Sequence, residues 1–225
     1  MGGPRGPARI WHGRGTRAAR GAGMTEPMRV VLGISGASGA ALGLAVARQL
    51  DSIGAEIDLV VSRAARRTLV EETGPDALAR LEAKAAHVHN ISNVGARIAS
   101  GSFAAQGMIV APCSMRSLAA IAHGLDDNLL IRAASVQLKE RRPLVLLARE
   151  APLTLAHLRN MMAVTEMGAI VAPPVPAFYL RPNSLDDVIA QIAARAVDLL
   201  RIAPPRATAW AENSREQIQP LPGAG

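Results

Sequence analysis

Five short apolar runs constrain this chain more than anything else in it: MRVVLGI (28–34), EIDLVVS (56–62), GMIVAP (107–112), PLVLLARE (143–150) and AIVAPP (169–174). A strand with one face in water alternates polar and apolar residues, whereas a strand buried on both faces reads as a nearly continuous apolar run. These runs are of the second kind and predict a parallel sheet covered by helices on both sides. The segments between them carry the helical repeat, at 40–54, 64–72, 114–124, 129–142, 153–168 and 185–202. Gly124 closes one of them, and Ser184 with Asp187 makes a capping-box start for the last. The expected fold is α/β: a doubly wound, mostly parallel sheet with helices on both faces, a three-layer sandwich of the flavodoxin or Rossmann kind.

A length of 225 residues suits one such domain, placed at 28–202. Residues 1–27 are rich in Gly, Pro and Arg and read as a disordered basic extension, with an organelle transit peptide as the rarer reading. Residues 203–225 read as an irregular tail, in which Trp210 docks on the body or on a neighbour. Of the net charge of +7, five arginines against Glu26 put +4 in the extension and leave +3 for the rest. That is too little for a face that tracks phosphates, and with 2% aromatic residues there are no stacking platforms, so nucleic acid is not an expected partner. No apolar run approaches the ~20 residues that span a bilayer. A single cysteine, Cys113, excludes an internal disulfide and fits a reducing compartment, hence the cytoplasm.

Open α/β sheets bind ligands beyond the carboxyl ends of their strands. The segments there are SGASGA (35–40), SRAA (62–65), CSMRS (113–117), REAP (149–152) and PPVPAFY (173–179). Gly33, Gly36 and Gly39 give a tight turn whose amides favour an anion, with Ser35 and Ser38 as hydroxyl donors; an unliganded turn or a dinucleotide cradle are the other readings. Ser62-Arg63 stands where NAD binding expects an acidic residue, which argues for a mononucleotide. Ser114 caps a helix whose first amides, at Met115, Arg116 and Ser117, can meet a phosphate or a flavin edge. Cys113 has no base in view to activate it, which favours a packed thiol over a nucleophile.

Arg132, Val136 and Lys139 are spaced to share a helix face, either for a second phosphate or as a solvated face paired with Glu140. Arg195 interrupts the stripe Val188, Ile192 and Leu199, where it either snorkels out or pairs with a buried anion. Arg149-Glu150 ends the fourth strand as a proton-transfer carboxyl beside a cation, or as a plain ion pair. The stretch VPAFYLRP (175–182) fences Phe178 and Tyr179 with Pro174, Pro176 and Pro182. His12, His87, His89, His123 and His157 form no ligand cluster, so no metal is expected.

The segments GISGASGA, SGSF (100–103), PCSMRSL, RAASVQLKERRPLVLLARE, HLRNM and PPVPAFYLRPNSLDDV, in this order and spacing, resemble the flavin prenyltransferases of the UbiX type, also labelled aromatic-acid decarboxylases. The resemblance runs from about Met28 to Trp210, and LKERRPLVL followed by RE is its most specific part. It implies an enzyme that joins a dimethylallyl group from dimethylallyl phosphate to reduced FMN across N5 and C6. The product is prenylated FMN for a partner decarboxylase of the UbiD type, in ubiquinone synthesis or aromatic-acid breakdown. By matching motif, Gly36, Ala37, Ser38, Ser62, Ser114, Met115, Arg116, Ser117 and Arg149 contact FMN. Tyr179 and Arg195 hold the prenyl phosphate, with Arg132 and Lys139 reaching in from a neighbouring subunit, and Glu150 is the acid/base. The resemblance implies a homododecamer. On this reading Tyr179 gives phosphate a hydroxyl and the allyl cation a ring, and Phe178 packs.

Three departures bear on the subunit contacts and the flavin edge: Ser135 where Asp often follows RAA, the apolar Ile131 before Arg132, and no aromatic in GAALG. The rival readings are a flavin-dependent decarboxylase of a cysteine-containing substrate, a non-catalytic flavin-binding subunit and an NAD(P)-dependent reductase. The first lacks its P-x-S-A-N-T string and histidine here, and the second leaves Glu150, Lys139 and Arg195 unexplained. Ser62-Arg63 and the missing Tyr-x-x-x-Lys disfavour the third.

Overall fold

A computed structural model of the chain describes residues 27–210, so the extension read at 1–27, except Pro27, and the tail beyond Trp210 lie outside the described residues. Six strands form one sheet: β1 (Arg29–Ile34), β2 (Glu56–Val61), β3 (His87–His89), β4 (Gly107–Cys113), β5 (Leu144–Ala148) and β6 (Ile170–Val171). Every pairing is parallel, and the order is β3-β2-β1-β4-β5-β6. The helices are α1 (Ala40–Ser52), α2 (Arg63–Thr73), α3 (Ala77–Glu82), α4 (Met115–Ala122), α5 (Leu129–Lys139), α6 (Leu155–Glu166) and α7 (Leu185–Asp198). From β1 the chain winds outward to β3, then returns to lay β4 on the other side of β1. That reversal makes the crevice between β1 and β4 the expected ligand site.

The apolar runs explain the layers. Val30, Leu32 and Ile34 pack with Val46, Leu50 and Val197 on the face covered by α1, α2, α3 and α7. Val31, Met108, Val110 and Leu146 pack with Leu118, Ile121 and Leu130 on the face covered by α4 and α5. Successive strand residues therefore serve opposite cores, and each buried Val, Leu or Ile stabilises by about 1.5–3 kcal/mol.

Two elements were not expected. The edge strand β3 has one apolar residue in HVH and leaves His87 and Val88 exposed, so it lacks the burial signature of its neighbours. The helix α3 spans six residues, too short for a clear repeat. The strand expected at 169–174 pairs only at Ile170–Val171, because Pro173 and Pro174 have no N–H for a ladder. Nor is His89 without a partner: its Nε2 lies 2.7 Å from Oδ1 of the fully buried Asp58, which also accepts from Arg97 at 2.8 Å. Among the described residues no helix is long and apolar enough to cross a membrane, and no group of three or more His, Cys, Asp or Glu is placed to hold a metal.

Gly43 lets α1 cross close over the sheet. A Cβ there would stand 2.7 Å from both the Ala111 carbonyl oxygen and Ile34 Cδ1, and the former is backbone that cannot yield. Gly43→Ala is expected to cost about 1–3 kcal/mol despite the better helix propensity of Ala, read as a lower urea midpoint at unchanged m-value.

Candidate active site

The site begins where β1 and β4 end side by side. Ser35, just past β1, is buried; its hydroxyl donates to the Pro112 carbonyl at 2.9 Å and accepts the Ser114 N–H at 2.7 Å. It is thus spent on fastening the two strand ends and is not the ligand donor the sequence suggested. The glycine turn that follows passes close to α2. A Cβ on Gly36 would lie 2.3 Å from Ala64 Cβ, so a side chain at residue 36 would push the turn off the helix.

Gly39, at φ 108°, caps α1, but the anion at this helix start is the protein's own. Oε2 of Glu72, on α2, accepts the Gly39 and Ala40 N–H groups at 2.8 Å each. Burial pushes the Glu72 carboxyl up. The Ala40 N–H, the Ser38 hydroxyl, the Gly39 N–H and the charge of Arg149 together outweigh it, so the group titrates below its ordinary 4.5. Sequence reading missed Glu72, whose only signal was its place on α2, the helix that faces the turn.

Two other helix starts converge on a cavity of ≈ 560 Å³ at the carboxyl ends of the central strands. Gly36, Ser62, Ser114, Arg116 and Ser117 of the expected flavin set line it together. Ser62 caps α2 by accepting the Ala65 N–H at 3.1 Å, and Ser114 caps α4 by accepting the Ser117 N–H at 3.3 Å. Arg116 is held across the rim by Asp127 at 2.7 Å. The remaining four lie outside its lining: Ala37 is buried, Ser38 turns to Glu72, Met115 packs against the α4–α5 core, and Arg149 is exposed at the end of β5. A space of this size, with hydroxyls, helix amides and apolar walls at Ile91 and Leu130, fits a flavin mononucleotide. Cys113 does not take part: it is fully buried, and burial pushes its thiol up to about 12.

A second cavity, of ≈ 340 Å³, opens beyond β5 and β6. Leu147, Pro173, Val175, Ile192 and Leu199 give it apolar walls, and Tyr179, Arg195, Gln191 and Thr208 its polar side chains. Arg195 is not set in a core stripe as its spacing suggested. The core face of α7 is Ala193, Ala194, Ala196 and Val197, while Val188, Ile192 and Leu199 are half-buried and Arg195 is exposed to the cavity. Trp210 docks on the body, its ring meeting Tyr179 edge-on at 4.8 Å. The tail before it is tied to α7 by two hydrogen bonds between Gln191 and Thr208, and by Asp198 accepting the Arg206 and Ala207 N–H groups. Among the described residues Phe178 does not pack; it is 76% exposed.

Arg132 and Lys139 line neither cavity. Val136 between them in sequence is fully buried, so the face that Arg132 and Lys139 share runs along the edge of the core face of α5. Arg132 pairs with Asp126 at 2.9 Å, and Lys139 pairs with Glu140 above Gly101. Glu150 is exposed beyond β5, with Oε1 accepting the Ala151 N–H at 3.1 Å, and among the described residues it forms no ion pair with Arg149.

Residues 19–197 match the family model described as Flavoprotein. The chain is 49% identical over 191 residues to the flavin prenyltransferase UbiX of Thauera aromatica, covering 85% of this chain and 98% of that one. The crystal structure of AnUbiX (PadA1) in complex with FMN and dimethylallyl pyrophosphate is 46% identical, with TM-score 0.76 over 78% of this chain and 93% of that one. A dodecameric FMN-dependent UbiX-like decarboxylase from Escherichia coli O157:H7 is 43% identical, with TM-score 0.77 over 81% and 99%.

The Glu72 pairing predicts a pH dependence. A carboxyl whose folded pKa is depressed adds stability that is present above its unfolded value, near 4.5, and is lost as pH falls through the folded value. Urea midpoints compared between about pH 6 and about pH 3 should fall less in Glu72→Gln than in the parent chain.

Proposed function

The chain belongs to the UbiX flavin prenyltransferases within the Flavoprotein family, and from that premise we propose that it joins the dimethylallyl group of dimethylallyl phosphate to reduced FMN. The observation that carries this reading is the meeting of Tyr179 and Arg195 in one cavity beyond β5 and β6, apart from the serine-lined cavity at the central strands. Gly36, Ser62, Ser114, Arg116 and Ser117 would hold the flavin, with Ala37, Ser38, Met115 and Arg149 at its edges. The reduced flavin supplies an electron-rich acceptor for the allyl carbon.

The residues of the chain do the rest. Breaking the C–O bond of the donor leaves its electron pair on phosphate, and Arg195 with the Tyr179 hydroxyl meets that charge. The Tyr179 ring stabilises the positive allyl carbons, and the apolar walls from Leu147 to Leu199 keep water from capturing them. Glu150 holds the proton exchanged as the new bond forms. Arg132 and Lys139 complete the phosphate site from a neighbouring subunit, which needs an oligomer. A homododecamer is supported by the E. coli O157:H7 relative and by α6, where Leu155, Leu158 and Met162 are 60%, 49% and 59% exposed along one helix face. A decarboxylase of the UbiD type would receive the product. A cytoplasmic setting agrees with the chain's one thiol.

Anaerobic incubation with reduced FMN and dimethylallyl phosphate, or the diphosphate in parallel, should add one dimethylallyl unit to the flavin by mass. Unchanged flavin with both donors, while an active relative converts them, defeats the reading. Glu150→Gln should bind FMN like the parent chain and lose about 100-fold or more in turnover; full-speed turnover would remove Glu150 from proton transfer.

A further inference from the structure

The two cations of α5 are held in different ways. Lys139 pairs with its sequence neighbour Glu140, as exposed lysines commonly do. Arg132 is gripped more firmly. Its Nε donates to the Ala99 carbonyl at 3.2 Å and its NH1 to Oδ2 of Asp126 at 2.9 Å. The other oxygen of that carboxylate, Oδ1, accepts the Ser135 hydroxyl at 2.5 Å. Asp126 belongs to the turn before α5, where its own N–H donates to the Gly124 carbonyl at 3.1 Å. The carboxylate is therefore fixed at its backbone and bridges two residues one turn apart on α5. The pair is partly shielded, with side chains 35% and 30% exposed. Among the described residues, NH2 of Arg132 makes no hydrogen bond.

Nε and NH1 are thus committed within the fold, and one corner of the guanidinium is left to a ligand. An arginine normally gives up much rotamer freedom on meeting an anion; here most of that loss has already occurred. We propose that Asp126 and Ser135 are positioning residues for Arg132, holding its guanidinium so that NH2 meets the phosphate of the prenyl donor. This rests on reading Arg132 as a phosphate contact in the assembled enzyme. Asp126 also brings a negative charge near that phosphate. On a partly exposed surface such repulsion is weakened by solvent and salt, and Asp126 sits on the NH1 side, so orientation outweighs it.

The test is steady-state kinetics on the assembled enzyme with saturating reduced FMN, varied dimethylallyl phosphate, and inorganic phosphate as a competing probe. Asp126→Ala should raise both the KM for the donor and the inhibition constant of phosphate about tenfold, with kcat and FMN affinity nearly unchanged. Ser135→Asp added to Asp126→Ala returns a carboxylate to the same place from the helix side and should restore both values. Asp126→Asn keeps the shape and reports the same direction if the alanine variant folds poorly. An unchanged or lower KM in Asp126→Ala, or no rescue by Ser135→Asp, overturns the proposal. Arg132→Ala separates the two ways to fail. If it raises KM while Asp126→Ala does not, only the positioning role is wrong; if it too leaves KM unchanged, Arg132 is not at the phosphate.

Discussion

β1 and β4 lie side by side, and the connections that leave them run to opposite faces of the sheet, so their carboxyl ends bound an open crevice. The rest of the site depends on those ends staying together. Ser35 supplies the fastening: one hydroxyl donates to Pro112 and accepts from Ser114, within a buried setting where an unmade hydrogen bond is costly. From that joint α4 starts directly into the cavity, and the glycine turn leaves in the other direction beneath α2. The cavity is a consequence of two strands pairing and then parting.

Charge is handled in the same economical way. Helix starts attract anions, and three of them gather at this end of the molecule. The start of α1 is already satisfied by Glu72, so it adds little toward a ligand. Those of α2 and α4 are capped by serine side chains and border the cavity with their first residues. The cations follow suit: Arg116 is steadied by Asp127 and Arg132 by Asp126, whereas Arg195 faces its cavity without an ion pair among the described residues. An internal carboxylate fixes the direction of Arg116 and Arg132, and among the described residues Arg195 is left without one.

Much of this was legible in the sequence, and the parts that were not share a cause. Strands buried on both faces announce themselves as apolar runs, so β1, β2, β4 and β5 fell where the pattern put them. The edge strand β3 pairs on one side only and carries no such mark. The cap at Ser184 was readable because Asp187 stands three residues on. Contacts between distant elements left no local trace. Asp58 looked like one polar residue inside a strand, yet it binds His89 and Arg97 in full burial. Arg195 was placed in a core stripe because helical spacing alone does not say which side of a helix the sheet will cover. The tail shows the same limit: its Pro and Ala residues have no periodicity, yet Asp198 and Gln191 of α7 hold it in place beside Tyr179.

Ser135 makes that limit concrete. Against the family pattern, a serine where an aspartate often stands reads as one carboxylate fewer beside Arg132. In space the carboxylate is present, delivered from the turn by Asp126 and tethered by the hydroxyl of Ser135. The oxygen at NH1 comes here from the segment before the helix and not from the helix itself. Departures from a motif therefore have to be weighed against the neighbours that fold brings in. A residue that looks like a loss can be one half of an exchange.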